Sequence, residues 1–279
     1  MSRPLIGAHV PARGRPARAV DEAEARGAEA FQIFVSNPRA WALPRISRGA
    51  AQEFRERREA AGSPPAFAHA SYLVNIASPN PQFWRRSVEL AMGEARVAAA
   101  LALDGLVVHA GAGGPGERAA AVARAGAAAT AIAEMGAPVL LELTAGGSGT
   151  VASTLTEAVD LLEAAGGDPR LGIVVDTCHL FAAGTPLDDP RQARVALDPL
   201  DAPPLSGRLR LVHANDARDP RGSRRDRHEH VGEGHIGEES FRTILTHEAV
   251  RRVPVIIETP GKVEEDRRNI ALLRRLAGD

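Results

Sequence analysis

Cysteine, lysine and aromatic residues are nearly absent from this sequence. One residue of 279 is cysteine, Cys178, so no internal disulfide can form. That suits a reducing compartment, and a cytoplasmic location is expected. Lys262 is the only lysine, so the 34 basic residues are otherwise arginine. Aromatics make up 4%, with Tyr72 the only tyrosine, and alanine, leucine and valine must therefore fill the core. The formal net charge of -1 gives no global attraction for a polyanion, so a nucleic-acid partner needs a local basic patch. There is no N-terminal apolar segment of the secretory kind. No apolar run approaches the roughly 20 residues of a membrane span, and no membrane partner is expected. No linker divides the chain, so one domain over residues 1–279 is expected.

What is present is a regular alternation. Apolar, β-branched runs at 5–10, 30–35, 65–70, 105–109, 138–143, 171–176, 208–213 and 254–259 read as strands. Between them, stretches at 17–26, 50–61, 83–102, 117–134, 154–165, 191–197, 239–247 and 263–276 read as helices. Strand–helix alternation with short connections implies parallel strands and right-handed crossovers. Eight repeats in a chain close to the typical length of about 250 residues predict an α/β fold, a single (β/α)8 TIM barrel.

The strands share an unusual ending. Leu171-Gly172-Ile173-Val174-Val175 runs into Asp176, with His179 three residues later. Other runs end on His69, His109, Glu142, His213 and Glu258, and His9 closes the first. Active sites of such barrels lie where the strands end. His179, Asp226 and His228 are expected just beyond strand ends, in loops. In Asp226-Arg227-His228, alternate residues of an extended segment point the same way. The set comprises five histidines (69, 109, 179, 213, 228) and four carboxylates (142, 176, 226, 258). Around one barrel mouth they would leave buried charges unpaired without a cation. Imidazole with carboxylate suits Zn, Mn or Fe, and so many ligands suit two or three ions. Such clusters suit phosphoryl chemistry, with Glu142 the most plausible bridge.

The motifs resemble those of the endonuclease IV family of AP endonucleases over nearly the whole chain. They include Ile6-Gly7-Ala8-His9-Val10, Asn37-Pro38-Arg39-Ala40-Trp41, His69-Ala70-Ser71-Tyr72-Leu73-Val74-Asn75, and Asp176-Thr177-Cys178-His179. His213-Ala214-Asn215-Asp216, Asp226-Arg227-His228, Gly232-Glu233-Gly234-His235-Ile236-Gly237 and Ile257-Glu258-Thr259 complete the pattern. The resemblance implies a trinuclear zinc TIM barrel, with Mn or Fe as substitutes, that incises duplex DNA on the 5′ side of abasic sites. The products would be a 3′-hydroxyl and a 5′-deoxyribose phosphate, and 3′-blocking groups would also be removed. His69, His109 and Glu142 would hold the first ion. Glu142, Asp176, His213 and Glu258 would hold the second, and His179, Asp226 and His228 the third. A metal-bound hydroxide would be the nucleophile, positioned or deprotonated by the catalytic residues Glu142 and Glu258. Arg39, Tyr72 and Leu73 match loops that penetrate DNA. A monomer with no obligatory protein partner is expected. The chain departs from the family at Pro11, Ala110, Leu143 and Ala214. Leu143 removes an amide that could hold a ligand.

Other features have plainer readings. Arg218, Arg221, Arg224, Arg225 and Arg227 crowd one loop, and Arg221 and Arg224 are expected to grip phosphates. Cys178 reads as a small buried residue at a strand end, and Trp41 and Trp84 as packing. His230, His235 and His247 read as surface or supporting residues. The rival to the nuclease is a single-metal (Mn or Mg) sugar isomerase or epimerase of the xylose-isomerase-like kind, using Glu142, Asp176, His213 and Glu258 alone. A non-catalytic damage-recognition protein on the same barrel is the rival from another class.

Overall fold

The structure, a computed structural model, describes residues 3–12 and 14–279. The strands are β1 (Ile6–His9), β2 (Phe31–Phe34), β3 (Ala66–His69), β4 (Gly105–His109), β5 (Val139–Glu142), β6 (Leu171–Asp176), β7 (Leu209–His213), β8 (Asp216–Ala217), β9 (His228–Glu229) and β10 (Val255–Ile257). All but β8 and β9 form the expected closed parallel barrel, in the order β1-β10-β7-β6-β5-β4-β3-β2. Every strand of this barrel is buried along most of its length, as parallel strands covered by helices require.

Side-chain alternation explains both the core and the site. Ala30, Phe67, Val107, Leu140, Val174, Leu211 and Ile256 form one buried cluster filling the barrel interior. Two residues further along the same strands stand Gln32, His69, His109, Glu142, Asp176, His213 and Glu258. A period of two turns both sets to the same side, so the apolar layer is the floor beneath the polar one. On β1 the corresponding floor position is Gly7. A Cβ there would lie 1.7 Å from the Ala30 carbonyl oxygen, so the close approach of β1 to β2 excludes any side chain.

The helices are α1 (Ala17–Arg26), α2 (Arg48–Ala60), α3 (Pro81–Ala100), α4 (Arg118–Ala133), α5 (Leu155–Ala164), α6 (Thr177–Ala183), α7 (Pro190–Leu197), α8 (Glu238–Thr246), α9 (Glu248–Arg251) and α10 (Val263–Ala277). Several starts are set by side-chain caps. Asn80 Oδ1 accepts from the backbone N–H of Gln82 and Phe83 at 3.0 Å each, and Ser47, Thr154 and Asp189 cap α2, α5 and α7. The outer faces of the strands pack on these helices in a second, larger apolar cluster, where Phe31 meets Phe54 edge-on. No helix among the described residues is long and apolar enough to cross a membrane.

Local structure departs from expectation in three places. His179 is not in a loop: it lies in the first turn of α6, whose N-cap is Asp176. The helix is short and as apolar as the strand before it, so hydrophobic pattern alone cannot separate the two. Cys178 accordingly sits in this helix rather than at a strand end, where burial pushes its thiol up to about 12. His228 likewise leaves the loop class: it opens β9, which pairs antiparallel with β8, Asp216 opposite Glu229. His247 is buried, not on the surface, and faces Asp198 at 3.4 Å.

Candidate metal centre

Glu142 stands at the centre of the barrel mouth, fully buried. Its Oε2 lies 3.1 Å from His69 Nε2 and 3.0 Å from His109 Nε2. Its Oε1 lies 3.0 Å from His213 Nδ1 and 3.3 Å from His179 Nδ1. One carboxylate thus faces two sets of nitrogens with two different oxygens. Asp176 and Glu258 join the second set, their oxygens 3.9 and 3.5 Å from His213 Nδ1. A third set forms at the rim, where Asp226 Oδ1 is 3.1 Å from both His179 Nε2 and His228 Nε2. All nine residues anticipated as ligands are therefore brought together. Three groups account for all nine: His69, His109 and Glu142; Glu142, Asp176, His213 and Glu258; and His179, Asp226 and His228, with Asp176 and His228 also meeting in an overlapping set beside Cys178. Potential ligand atoms within each group lie within 4.8 Å of one another.

Four of the five imidazoles are aimed by carbonyl groups. His69 Nδ1 faces the Ala70 carbonyl at 2.7 Å, His179 Nδ1 the Leu143 carbonyl at 2.9 Å, and His228 Nδ1 the Glu258 carbonyl at 3.1 Å. His213 uses the opposite nitrogen, with Nε2 3.1 Å from Gln32 Oε1. A carbonyl accepts only, so each contact places a ring proton on that nitrogen, and in the neutral ring the lone pair of the other nitrogen faces the cluster. This is the arrangement of a metal-ligating histidine. Leu143 contributes its backbone carbonyl, so orientation of His179 does not depend on an asparagine at that position.

The donor set fits divalent ions on a further observation. His179 Nε2 and His228 Nε2 are buried with no hydrogen-bond partner, although Asp226 Oδ1 is only 3.1 Å from each. Proximity without hydrogen-bond geometry is what ligands converging on a common point show, whereas buried imidazoles in an ordinary core are satisfied.

Electrostatics agree. Burial opposes ionisation of Glu142, yet His213 and His109 outweigh it and hold the carboxylate well below its ordinary range. Glu258 is lowered against burial in the same way by His213 and His9. Asp226, exposed at the rim, is held low by His179 and His228, which outweigh its partial desolvation. Burial would lower His213, but Glu258 and Glu142 lift it to about 9. Asp176 and Asp226 likewise lift His228 to about 9 against burial. Without a cation the site balances its charge with protons. His9 differs: burial dominates and lowers it, consistent with a neutral supporting residue 3.1 Å from Glu258 Oε1.

Three supporting residues had no assigned role in the sequence. Gln32 is fully buried and donates to Glu258 Oε1 at 2.6 Å while facing His213. Asn215 donates to Asp176 Oδ2 at 2.7 Å and accepts from the Glu258 N–H at 2.8 Å. Asp216 accepts from the N–H groups of Ala217, Gly232, Ile236 and Gly237, which ties down the segment that follows His228 and β9. A glutamine buried in an apolar strand was the available signal for Gln32.

A cavity of about 480 Å³ opens above the cluster, lined by Phe34, Tyr72, Asp226, His228, Glu258 and the first histidines. Tyr72 is 59% exposed and stacks edge-on against Phe34 at 5.2 Å, which puts it at the mouth rather than in the core. Arg39 is exposed and Leu73 half-buried nearby. Arg221 and Arg224 are exposed but do not line this cavity, and Arg221 is paired with Asp188 at 3.0 Å. Arg225 and Arg227 both approach Asp219.

A parallel eight-stranded barrel with histidines and carboxylates at its mouth defines a class, the xylose isomerase-like TIM barrels, and residues 20–276 match that family. Within it, the chain is 40% identical over 290 residues to the probable endonuclease 4 of Streptomyces coelicolor, covering 99% of this chain and 96% of that protein. The crystal structure of endonuclease IV from Thermus thermophilus superposes with a TM-score of 0.86 at 35% identity, over 98% of both chains. A D-tagatose 3-epimerase-like protein shares the fold alone, at 18% identity and a TM-score of 0.68, over 98% of this chain and 96% of that one. The chain belongs to the endonuclease IV family and is an enzyme of the nuclease class.

Proposed function

We propose that this enzyme is a DNA-repair AP endonuclease. It hydrolyses the phosphodiester 5′ to an abasic site in duplex DNA and leaves a 3′-hydroxyl and a 5′-deoxyribose phosphate. The observation that carries this reading is the division of nine converging ligands into three groups, two of them sharing Glu142. A single-metal isomerase needs only the group of Glu142, Asp176, His213 and Glu258, and would leave His69, His109, His179, Asp226 and His228 without a role.

In this reading three divalent ions, zinc with Mn or Fe as substitutes, occupy the three groups. When bound they supply Lewis acidity to a phosphate and acidify a water. The chain's own part is positioning. Glu142 offers one oxygen to each of the first two groups. Glu258 is held at Oε1 by Gln32 and His9, which leaves Oε2 directed at the second group, where it would take a proton from a reacting water. His179, Asp226 and His228 form the outermost group, beside the open cavity. Arg39, Tyr72 and Leu73 stand at the rim as wedges that unstack the duplex and admit the abasic nucleotide. Arg221 and Arg224 bind phosphates. Removal of 3′-blocking groups uses the same site, and the enzyme acts as a cytoplasmic monomer in a single barrel domain.

The test is metal analysis of the purified protein with an incision assay on an abasic duplex. Three ions per chain, one for each of the three groups assigned to the nine residues, and cleavage 5′ to the lesion are expected. A single ion per chain, an intact duplex and ketose isomerisation would establish the isomerase instead.

A further inference from the structure

Helix α3 carries a buried carboxyl group that neither the metal cluster nor the barrel core requires. Glu94 is fully buried. Its Oε1 accepts from Ser36 Oγ at 2.5 Å and from the Ser71 N–H at 3.0 Å, and its Oε2 is buried with no partner. The relay continues from Ser71, whose Oγ donates to the Pro38 carbonyl at 2.9 Å and accepts from the Leu73 N–H at 3.2 Å. Ser36 and Pro38 lead into Arg39, and Ser71 precedes Tyr72 and Leu73. One oxygen of one side chain therefore joins the loop after β2 to the loop after β3.

The same helix holds both loops elsewhere. Gly93 lets the β2 loop lie against it, since a Cβ there would be 3.2 Å from Pro44 Cδ. Trp41 packs edge-on against Phe83 at 5.2 Å with the Arg86 guanidinium over its ring. From the β3 loop, the Asn75 N–H donates to Ser87 Oγ at 3.1 Å, and the Ile76 carbonyl accepts from Trp84 Nε1 at 2.8 Å. These outer contacts are ordinary packing and capping. Glu94 is not, because burying a carboxyl with an unpaired oxygen leaves a desolvation penalty that nothing offsets. Burial pushes its pKa up to about 7, the expected sign of that penalty. An apolar residue would fill the space without it, but could not hold two donors from separate loops at one point.

We propose that Glu94, acting through Ser71, is a positioning residue that locks the loops of Arg39 and of Tyr72 and Leu73 into one rigid unit, and so sets affinity for duplex DNA without acting in hydrolysis. This rests on the assignment of those three residues to DNA. Side chains that must enter a stacked duplex lose less entropy on binding when their loops are already ordered.

The test uses the full-length, metal-loaded enzyme and three measurements: KM and kcat on an abasic duplex, hydrolysis of bis(p-nitrophenyl) phosphate, and metal content. Glu94→Ala should raise KM on the duplex about tenfold, a loss of about 1.4 kcal/mol, with kcat, small-diester hydrolysis and metal content unchanged. Glu94→Gln keeps an oxygen that can accept from both donors, and should restore most of the affinity. Ser36→Ala removes one donor only and should raise KM by a smaller factor; it serves as the probe if Glu94→Ala does not fold. An unchanged duplex KM in Glu94→Ala, a glutamine variant no better than alanine, or loss of metal would each overturn the proposal. Arg39→Ala and Tyr72→Ala separate it from the reading on which it rests. If they leave KM unchanged, the DNA assignment of the loops fails. If they raise KM and Glu94→Ala does not, only the clamp fails.

Discussion

His109 and Glu142 sit opposite each other in register on β4 and β5, and His109 Nε2 lies 3.0 Å from Glu142 Oε2. The neighbouring oxygen of the same carboxylate faces His213 on β7. Strand pairing thus places one acid between nitrogens from two sides of the barrel, and its loss should be felt by two ion sites at once. Glu142→Gln is expected to lower kcat by more than about a hundredfold, the upper end for losing one supporting group of a metal site. DNA affinity should change far less. Elemental analysis should find fewer ions in the first two groups. Near-normal turnover at full metal content would rule out a bridging role.

The rim group makes a separable claim. Asp226→Asn or His228→Ala should remove one of the three ions and cut turnover, because both residues serve the third group. Arg221 and Arg224 lie in the same loop, and their replacement by alanine should leave metal content intact. Each phosphate that is no longer neutralised should flatten the log–log salt dependence of DNA binding by about 0.9. Arg224 should account for more of this than Arg221, which already pairs with Asp188. An unchanged salt slope in the double variant would return these arginines to a solvated surface.

Gln32 is expected to behave as a supporting residue of the cluster. Gln32→Leu removes the amide that holds Glu258 Oε1 and the carbonyl that orients His213. A fall of roughly ten- to a hundredfold in metal affinity or activity is the usual scale of such a loss. Competition with a chelator measures it, and full affinity in the variant would show that packing alone fixes the two ligands.

Stability of the ion-free protein should depend on pH with a definite sign. His213 and His228 are raised from the ordinary 6.5 to about 9 by facing carboxylates. Their contribution is complete below about pH 6.5 and is lost as pH rises through about 9. Glu142, Glu258 and Asp226 are depressed, so their contribution is present above their ordinary range near about pH 4 and fades as pH falls further. Thermal melts after chelation should therefore decline between about pH 7 and 9.5. Metal-loaded protein should not show that decline, since ligating imidazoles carry no extra proton to lose. Parallel curves for the two forms would contradict the pairing.

Much of the site was legible because a strand has a period of two. The runs ending on His69, Glu142 and Glu258 each read as an apolar strand closed by a candidate ligand, with no knowledge of which strands pair, and the period of two puts Phe67, Leu140 and Ile256 on the same side beneath them. The Asp226-Arg227-His228 spacing worked by the same rule. The short helix of His179 was not legible, because Leu180 and Phe181 are as apolar as the strand before them and Asp176 serves both as ligand candidate and helix cap. The arginine cluster was legible as charge, but its partners Asp188 and Asp219 depend on how the loops fold back.

The amino-acid sequence by itself determined the barrel and the residues at its mouth, since alternation and run length are local properties that follow from backbone geometry. Only the tertiary structure decided how those residues are held. Which nitrogen of His69, His179, His228 and His213 faces the cluster depends on carbonyls supplied by Ala70, Leu143 and Glu258 and by the Gln32 side chain, and all but the Ala70 carbonyl come from other strands or loops. The joining of the Arg39 and Tyr72 loops through Glu94 likewise depends on groups distant in sequence. A hydrogen bond needs position and angle in space, and no local pattern in the chain encodes either across such separations.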